Sequence, residues 1–378
     1  MTKKIIPQRL ESLLLIGLML LFVSPVLDFF IGTSSHFIFY ILFTALVISL
    51  FRSQSEFIFA IVVLIFFIIS LFTKINDIYL KDSMIFLLKN AGNIIALNVL
   101  INRHQYIATI VNSSLPLIFS LLGIFFLINA LTIFIGIGYP TYLFSSNWGH
   151  KGFFQSANEL ANSISILTVT ICIRQFKYSG LIIIACLISL IILGTKSGLL
   201  TLIIVSAILL WRSNFLVKIG YITILAFGVF YIAFYFDPWI EKNTWVLENR
   251  GILSLIFSGR HLFVEGMIEA TFYDDFSILL GGLSLEEMYV SIGKYLVEID
   301  FFDLFFLAGL PLVFLWVSIF VRLYRGGSRS TVVQFLITFV LALSFLPGHM
   351  LYSSLAIPMF FFCYVWIIYG QTKNISHF

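Results

Sequence analysis

Three carboxylates stand together just before a long apolar run, in the stretch GKYLVEIDFFDLFFLAGLP (293–311). One of them, most simply Asp303, can stabilise the start of the following helix, where negative charge is favourable. Lys294 can pair with Glu298 at i, i+4 spacing. A carboxylate that is partly desolvated at the membrane interface has a raised pKa and can act as a general base. Glu298 and Asp300 are therefore candidate catalytic bases, and the sequence leaves open which of them acts.

Two basic positions have the character of anion ligands. Lys196 lies in LGTKSG between two apolar runs; it either extends to the membrane surface or binds a phosphate with the free N–H groups of the turn. Arg260 and His261 follow Ser258, a residue type that caps helices. That region is either a solvated helix start or a diphosphate site, because the arginine fork binds phosphate oxygens in pairs. Arg260 is also a candidate catalytic residue, as a stabiliser of the leaving group.

Four further polar residues are candidate substrate ligands. Lys89 shares a helix face with Asn93. An ionisable group inside an apolar segment usually faces the protein interior and marks a functional site. Lys89 also lies near enough to the end of its segment to reach the membrane surface instead. Asn158 either caps the next apolar helix or contacts substrate. His349 follows a Pro-Gly turn and is either structural or part of the site. Lys151 belongs to the same polar connection as Asn158.

The composition sets the class of protein that must position these residues. Of 378 residues, 60% are hydrophobic and 11% are charged, against about 25% charged in soluble domains. A bilayer accommodates such a chain because helices satisfy their own backbone hydrogen bonds. We therefore predict an all-α polytopic membrane protein, with residues 1–378 as a single integral membrane domain. Cys172, Cys186 and Cys363 lie in apolar runs without metal-ligand spacing, so we expect them to be packing residues and not ligands or disulfide partners.

Apolar segments of about 20 residues indicate about twelve transmembrane helices. The predicted spans are 10–31, 36–51, 57–73, 83–101, 114–138, 159–173, 178–194, 197–211, 215–236, 301–321, 331–347 and 350–369. The first segment lacks a small-residue cleavage site and is expected to remain in the protein. The long connection 237–300 separates the ninth and tenth spans, and we expect it to carry surface helices.

The distribution of basic residues orients this layout, because cytoplasmic loops carry an excess of Lys and Arg. With the N-terminus in the cytoplasm, thirteen basic residues fall on the cytoplasmic side: Lys3, Lys4, Arg9, Arg52, Arg103, Arg174, Lys177, Arg212, Lys218, Arg322, Arg325, Arg329 and Lys373. Both termini are then cytoplasmic. The candidate site residues and the 237–300 connection fall on the opposite, extracytoplasmic face. Four aromatic residues on that side suit carbohydrate binding: Trp148, Phe153, Trp239 and Trp245.

The order of several short motifs resembles that of the O-antigen ligase and Wzy-type polysaccharide polymerase superfamily. The motifs are GFFQSANELANSI (152–164), LGTKSGLLTLI (193–203), SGRHLF (258–263), LLGGLS (279–284) with KYLVEIDFFDLFFLAGL (294–310), and GHMLYSS (348–354). The form is most similar to Gram-positive capsular or exopolysaccharide repeat-unit polymerases.

The resemblance implies an inverting glycosyltransferase in the bacterial cytoplasmic (inner) membrane, one that uses no metal and no cofactor. A hydroxyl of one undecaprenyl-diphosphate-linked repeat unit would attack the anomeric carbon of another glycan, which makes capsule, exopolysaccharide or O-antigen. Arg260 matches the family's arginine at the start of the loop helix. Lys196 stands where the ligases have an arginine, and VEID (297–300) replaces their His-Asn pair. The departure favours a polymerase over a ligase.

The expected partners follow from this assignment. They are the lipid-linked oligosaccharide, membrane lipid, a chain-length regulator and a flippase, with no nucleic acid. Two alternatives stay open: a ligase that uses another acceptor, and a flippase or transporter of lipid-linked sugars. Transporters place charges deep in their spans and often carry repeats. Most predicted spans here contain no charge, and the sequence shows no repeat.

Overall fold

The computed structural model describes residues 2–32, 35–141, 149–176, 178–212, 223, 237–257, 259–271, 279–326, 330–345 and 348–375. Within these ranges the chain forms fourteen α-helices. They are α1 (Thr2–Ile31), α2 (Ser35–Ile48), α3 (Gln54–Phe72), α4 (Leu80–Val111), α5 (Leu115–Leu131), α6 (Ala157–Arg174), α7 (Ser179–Leu193), α8 (Lys196–Arg212), α9 (Asp237–Ile256), α10 (Arg260–Thr271), α11 (Leu285–Ile292), α12 (Asp300–Gly326), α13 (Thr331–Phe345) and α14 (Ala356–Ile375). A 3-10 turn (Thr132–Ile135) and a two-stranded antiparallel ribbon, β1 (Tyr139–Pro140) with β2 (His150–Gly152), connect α5 to α6.

The helices are those of an all-α membrane protein, as predicted. Five of them are long and apolar enough to cross a bilayer, and five shorter apolar helices accompany them in the described ranges. Phe57, Ile65 and Phe72 on α3 are 59%, 48% and 67% exposed on the outside of the bundle, a surface that suits lipid and not water. Helices occur at each predicted span except the ninth, 215–236, which lies outside the described residues apart from Thr223.

The centre of the bundle is formed by α4, α6 and α14. The side chains from 159 to 172 on α6 and from 356 to 367 on α14 are all buried, because neighbouring helices cover them on every side. α14 packs against both α4 and α6, and α4 also contacts α2, α3 and α12. The central helices therefore provide rigid positions for any side chain that reaches the ends of the bundle.

The two ends of α4 contact different sets of charged residues. Toward one end Arg103 donates to Glu56 at 2.9 Å, and Arg322 of α12 donates to Asn98, near the middle of the helix, at 2.8 Å. Toward the other end, the Lys89 ammonium lies 3.8 Å from the carboxylate of Glu159 on α6. Lys89 and Arg103 are separated by a rise of about 21 Å along α4, so their contacts lie at different depths of a hydrocarbon core about 30 Å thick.

α12 is not continuous, although the sequence predicts an unbroken span over 301–321. The helix breaks at Gly309, where φ is 76° and ψ is 175°. The carbonyl oxygens freed by the break find other donors: the Leu283 N–H donates to Phe306 O, and Ser70 Oγ donates to Leu307 O at 3.2 Å. A Cβ on Gly309 would lie 2.8 Å from the carbonyl carbon of Leu280, so the close approach of the 279–283 segment requires glycine here.

The predicted last span begins at 350, but α14 begins only at Ala356. The preceding residues form an irregular stretch, here named the 348–355 segment. Asn162 of α6 donates to Gly348 O at 3.0 Å. Asn93 of α4 donates to Leu351 O at 2.8 Å and to Ser353 O at 3.1 Å. These side chains bond backbone groups that a helix would otherwise use, which is why the helix starts late.

Candidate functional site

The loop before α12 and the start of α10 meet in a cluster of three charged residues. Arg260 is the first residue of α10, and its Nε and Nη2 atoms donate to Oε2 of Glu298 at 3.1 Å and 2.9 Å. Lys294 Nζ lies 3.3 Å from Oε1 of the same carboxylate, as the i, i+4 spacing predicts. The side chain of Arg260 is 10% exposed and that of Glu298 is 31% exposed. Both cations therefore converge on one partly accessible carboxylate.

The backbone of Glu298 is held in an unusual conformation. Its φ is 69°, a left-handed value that side-chain-bearing residues rarely adopt. The carboxylate of Asp303 accepts the N–H of Val297 at 2.6 Å and the N–H of Glu298 at 3.0 Å. On the other side, a Cβ on Gly348 would collide with the carbonyl oxygen of Glu298. Such strain persists where the surroundings fix it, and it is common at functional sites.

Glu298 remains ionised in this setting. Burial alone would raise the pKa of Glu298, but the positive charges of Arg260 and then Lys294 lower it below its usual value. The ion pairs thus stabilise the charged form more than the partial burial destabilises it.

His349 lies at the junction of the charged groups. Burial lowers the pKa of His349 to about 4, with the negative charge of Glu298 acting in the opposite direction. The positive charges of Arg260, Lys89 and Lys294 add to the lowering of this pKa. His349 follows Gly348, which packs against the carbonyl oxygen of Glu298, so His349 adjoins this carboxylate-bearing loop. The imidazole is neutral at physiological pH and can accept or donate a hydrogen bond.

Tyr352 connects His349 to the carboxylates. Its hydroxyl lies 3.1 Å from Nδ1 of His349 and 3.5 Å from Oδ2 of Asp303. Burial, together with the negative charge of Asp303, raises the pKa of Tyr352 well above its usual value. The phenol therefore keeps its proton and serves as a hydrogen-bond donor between the two elements.

Asp300 and Asp303 are both fully buried, unlike Glu298. Oδ2 of Asp300 accepts the N–H groups of Met350 and Leu351 at 2.7 Å and 2.8 Å, so this carboxylate fixes the 348–355 segment. Its Oδ1 has no hydrogen-bond partner in the described part of the chain. Asp303 caps the turn before α12, as the sequence suggests for one of the three acids.

Lys89 and Asn158 both belong to the region around the start of α6. Lys89 pairs with Glu159. Asn93, one turn along α4 from Lys89, bonds the 348–355 segment, and this segment packs against Glu298, so Lys89 lies toward the same side of the bundle. Asn158 is not the N-cap residue of this helix. Ser156 takes that position, because its side chain accepts the N–H of Glu159 at 3.3 Å, and Asn158 lies half-buried in the first turn.

Lys196 is the half-buried first residue of α8. The expectation of free N–H groups in its turn holds only in part. Thr195 Oγ1 accepts the N–H of Gly198 at 3.2 Å, and Thr195 O accepts the N–H of Leu199 at 3.1 Å. These two donors are therefore already bonded, and an anion here would depend on the lysine charge.

Two other candidates lie in separate settings. Lys151 Nζ donates to Gln155 O at 2.6 Å and lies 5.8 Å from the ring centroid of Tyr139, so it contacts its own connection and not the Arg260 cluster. Nε2 of His261 lies 3.3 Å from Ser254 Oγ, while its buried Nδ1 lacks a partner among the residues described. Trp148, Ser258 and the side chain of Trp239 lie outside the described residues.

Sequence reasoning did not identify several residues that build the site. The sequence predicts only a pairing role for Lys294, and it predicts no role for Tyr352, Asn162 or Glu159. Tyr352 carried a weak signal, since it follows His349 by three residues in GHMLYSS. Asn162 carried none, because its partner Gly348 is 186 positions away in the chain.

The cluster offers two kinds of chemistry at one place. Two fixed cations can neutralise a phosphate or diphosphate group, and an ionised, partly exposed carboxylate can accept a proton. No group of three His, Cys, Asp or Glu side chains in the described ranges could hold a metal ion. The three cysteines are buried and unbridged. No family model, curated protein or solved structure matches the chain.

Proposed function

We propose that this protein is a polymerase of lipid-linked oligosaccharide repeat units, a membrane-embedded inverting glycosyltransferase. The observation that carries the proposal is the meeting of Arg260, Lys294 and Glu298 beside His349. Glycosyl transfer from a polyprenyl diphosphate needs fixed positive charge at the leaving group and a proton acceptor at the attacking hydroxyl. The order of motifs shared with the O-antigen ligase and Wzy-type superfamily supports the same assignment.

The proposed reaction exchanges one bond at an anomeric carbon. The oxygen of a sugar hydroxyl on one repeat unit bonds to the anomeric carbon of a second glycan, on the face opposite the diphosphate. The bond from that carbon to the diphosphate oxygen breaks, and undecaprenyl diphosphate leaves with the electron pair. The hydroxyl proton moves to the carboxylate of Glu298. Arg260 and Lys294 neutralise the charge that grows on the leaving group, and a single displacement inverts the configuration.

Glu298 is the proposed base because it is accessible. Its side chain is 31% exposed, whereas Asp300 is fully buried and accepts two backbone N–H groups. The base must lie within hydrogen-bond reach of the acceptor hydroxyl. His349 is proposed to contact the same substrate because it follows Gly348, which packs against Glu298. Lys89 is proposed as a further contact because its partner Glu159 lies one turn from Asn162, which bonds Gly348 O.

We place the site on the extracytoplasmic face of a bacterial cytoplasmic membrane, with about twelve spans and both termini in the cytoplasm. The contacts along α4 support this orientation. Arg103 of α4 and Arg322 of α12, which belong to the basic residues expected on the cytoplasmic side, make their contacts on the C-terminal half of α4, and Lys89 lies on its N-terminal half. In this arrangement Arg260 and Glu298 both lie in the 237–300 connection, on the extracytoplasmic side of the bundle.

A flippase or transporter of lipid-linked sugars is the second candidate, and one observation favours it. α12 breaks at Gly309, and discontinuous helices form substrate sites in many secondary transporters. In this chain, however, Leu283 and Ser70 donate to carbonyl groups freed by the break. The break is therefore packed against protein, and these carbonyl groups are already bonded within the chain. The Arg260 cluster is the better candidate for a substrate site.

Reconstitution tests the two candidates directly. Purified protein in liposomes, supplied with undecaprenyl-diphosphate-linked repeat units, is expected to produce a ladder of longer glycans and free undecaprenyl diphosphate. Unchanged substrate across several matched repeat units would contradict the polymerase. Movement of the repeat unit across the bilayer without elongation would instead identify the flippase. A single transfer to a different acceptor would identify an O-antigen-type ligase.

A further inference from the structure

We infer that the carboxylate of Glu298 is a built-in substitute for the substrate's diphosphate, bound by Arg260 and Lys294 until the donor displaces it. The inference rests on the proposed function, because it assigns an order of events to that site. Displacement transfers both cations to the diphosphate and frees the carboxylate to act as the base. Donor binding and activation of the base are then one event.

The geometry of the ion pairs carries the first step. Arg260 directs Nε and Nη2 to a single oxygen of Glu298, at 3.1 Å and 2.9 Å, and Lys294 contacts the other oxygen at 3.3 Å. A phosphate group presents oxygen acceptors to a guanidinium fork in the same way as a carboxylate. The groups suited to bind the diphosphate are therefore already engaged by an anion that belongs to the chain.

The second step is that Glu298 can leave without disturbing the fold. Its backbone is fixed by the Asp303 carboxylate, which accepts its N–H, and by close contact of its carbonyl with Gly348. The side chain, in contrast, is 31% exposed, and its partners in the described part of the chain are the two cations Arg260 and Lys294. Exchange then requires rotation about side-chain bonds between staggered positions and no change of the backbone.

The third step concerns the basicity of the released carboxylate. Burial acts to raise the pKa of Glu298, whereas the charges of Arg260 and then Lys294 act to lower it. When a diphosphate neutralises the two cations, the effect of burial is no longer opposed and the pKa rises. The carboxylate is therefore a stronger base while a diphosphate occupies the two cations than it is in the free protein.

Binding of inorganic pyrophosphate, in the absence of divalent metal, tests the exchange on the purified full-length protein. Calorimetry is expected to show that Glu298→Gln binds pyrophosphate at least about tenfold more tightly than wild type, because the internal competitor is gone. The same variant is expected to lose elongation. Arg260→Ala is expected to lose pyrophosphate binding. Unchanged or weaker binding in Glu298→Gln overturns the inference.

Two further variants keep the result interpretable. Glu298→Asn tolerates the left-handed backbone and also lacks the charge, so it should bind pyrophosphate more tightly too if the exchange operates. Glu269→Gln removes an exposed charge from the same helix as Arg260 and should leave the affinity unchanged. Equal tightening in Glu269→Gln would attribute the effect to net charge and overturn the inference.

The exchange and the proposed function can fail separately. If wild type elongates glycans but Glu298→Gln shows no gain in affinity, the polymerase stands and the exchange is overturned. If Glu298→Gln gains affinity while wild type elongates none of the matched repeat units, the exchange is supported and the polymerase is contradicted.

Discussion

The carbonyl oxygen of Glu298 packs directly against the Cα atom of Gly348, leaving no room for a side chain at that glycine. This contact joins the loop before α12 to the 348–355 segment and sets the position of the Glu298 carboxylate. Both residues have left-handed backbones, with φ of 69° at Glu298 and 67° at Gly348. The position of the proposed base therefore depends on a residue that carries no functional group.

Gly348→Ala is accordingly expected to destabilise the protein and to abolish elongation. The new Cβ meets the Glu298 carbonyl, and alanine also disfavours the positive φ, so we expect a loss of more than about 2 kcal/mol of unfolding free energy. Gly293→Ala is the matched control, because its φ of 69° is close to the 67° of Gly348 but nothing lies within 4 Å of its Cβ position. Thermal unfolding in detergent and the elongation ladder measure both variants. Equal losses in the two would mean that backbone strain, and not the contact, is responsible.

Arg260→Lys is expected to reduce elongation nearly as much as Arg260→Ala. Lysine keeps the charge but cannot place two donors on one oxygen, and loss of one preorganised electrostatic group costs roughly 100-fold to 1000-fold in rate. Initial rates of elongation under saturating substrate give the comparison. Arg250→Ala serves as the control, because Arg250 is exposed and stacks on Trp245 at 5.4 Å. Wild-type rates in Arg260→Lys would show that charge alone is needed.

Asp300 variants decide which acid accepts the proton. Asp300→Asn keeps an acceptor oxygen for the N–H groups of Met350 and Leu351, so it is expected to fold and to retain most elongation. Asp300→Ala leaves both donors buried without a partner, at about 1 to 3 kcal/mol each, and is expected to lose stability. Elongation rates normalised to folded protein separate the two effects. A folded but inactive Asp300→Asn would transfer the role of base from Glu298 to Asp300.

The sequence was sufficient for the class of protein and for contacts between near neighbours. Hydrophobic runs gave the positions of the helices, and i, i+4 spacing gave the Lys294–Glu298 pair. It could not separate Glu298 from Asp300, because the role of Asp300 depends on distant backbone N–H groups. Asp300 bonds Met350 and Leu351, which are 50 and 51 residues away.

The break in α12 and the late start of α14 have the same origin. Gly309 and Pro311 in the sequence permit a break, but the break is completed by Ser70, whose acceptor Leu307 O lies 237 positions away. The 348–355 segment is likewise bonded by Asn93 from α4, over 258 positions. Such distant partners leave no trace in the local sequence pattern. A continuous apolar run therefore predicts a continuous helix even where the chain breaks.

Lys74 gives a prediction on pH dependence that is independent of the proposed function. Lys74 lies in the turn after α3 and is 1% exposed. Its Nζ donates to Gly281 O at 2.7 Å and to Ser70 O at 2.9 Å. These bonds fix the 279–283 segment against the break in α12. Burial lowers the pKa of Lys74 to about 7, although the charges of Glu287 and Asp77 oppose the shift.

The sign of the effect follows from proton binding. Between pH 7 and about 10.5 the unfolded chain holds a proton on Lys74 that the folded protein has released, so stability rises with pH in this window. The slope is at most about 1.4 kcal/mol per pH unit, and it vanishes below pH 7, where both states are protonated. Chemical unfolding of wild type and Lys74→Met in detergent from pH 6 to 9.5 should show this extra slope in wild type alone. Lys81→Met, at an exposed position, should behave as wild type. Parallel curves for wild type and Lys74→Met would show that Lys74 keeps its proton in the folded protein.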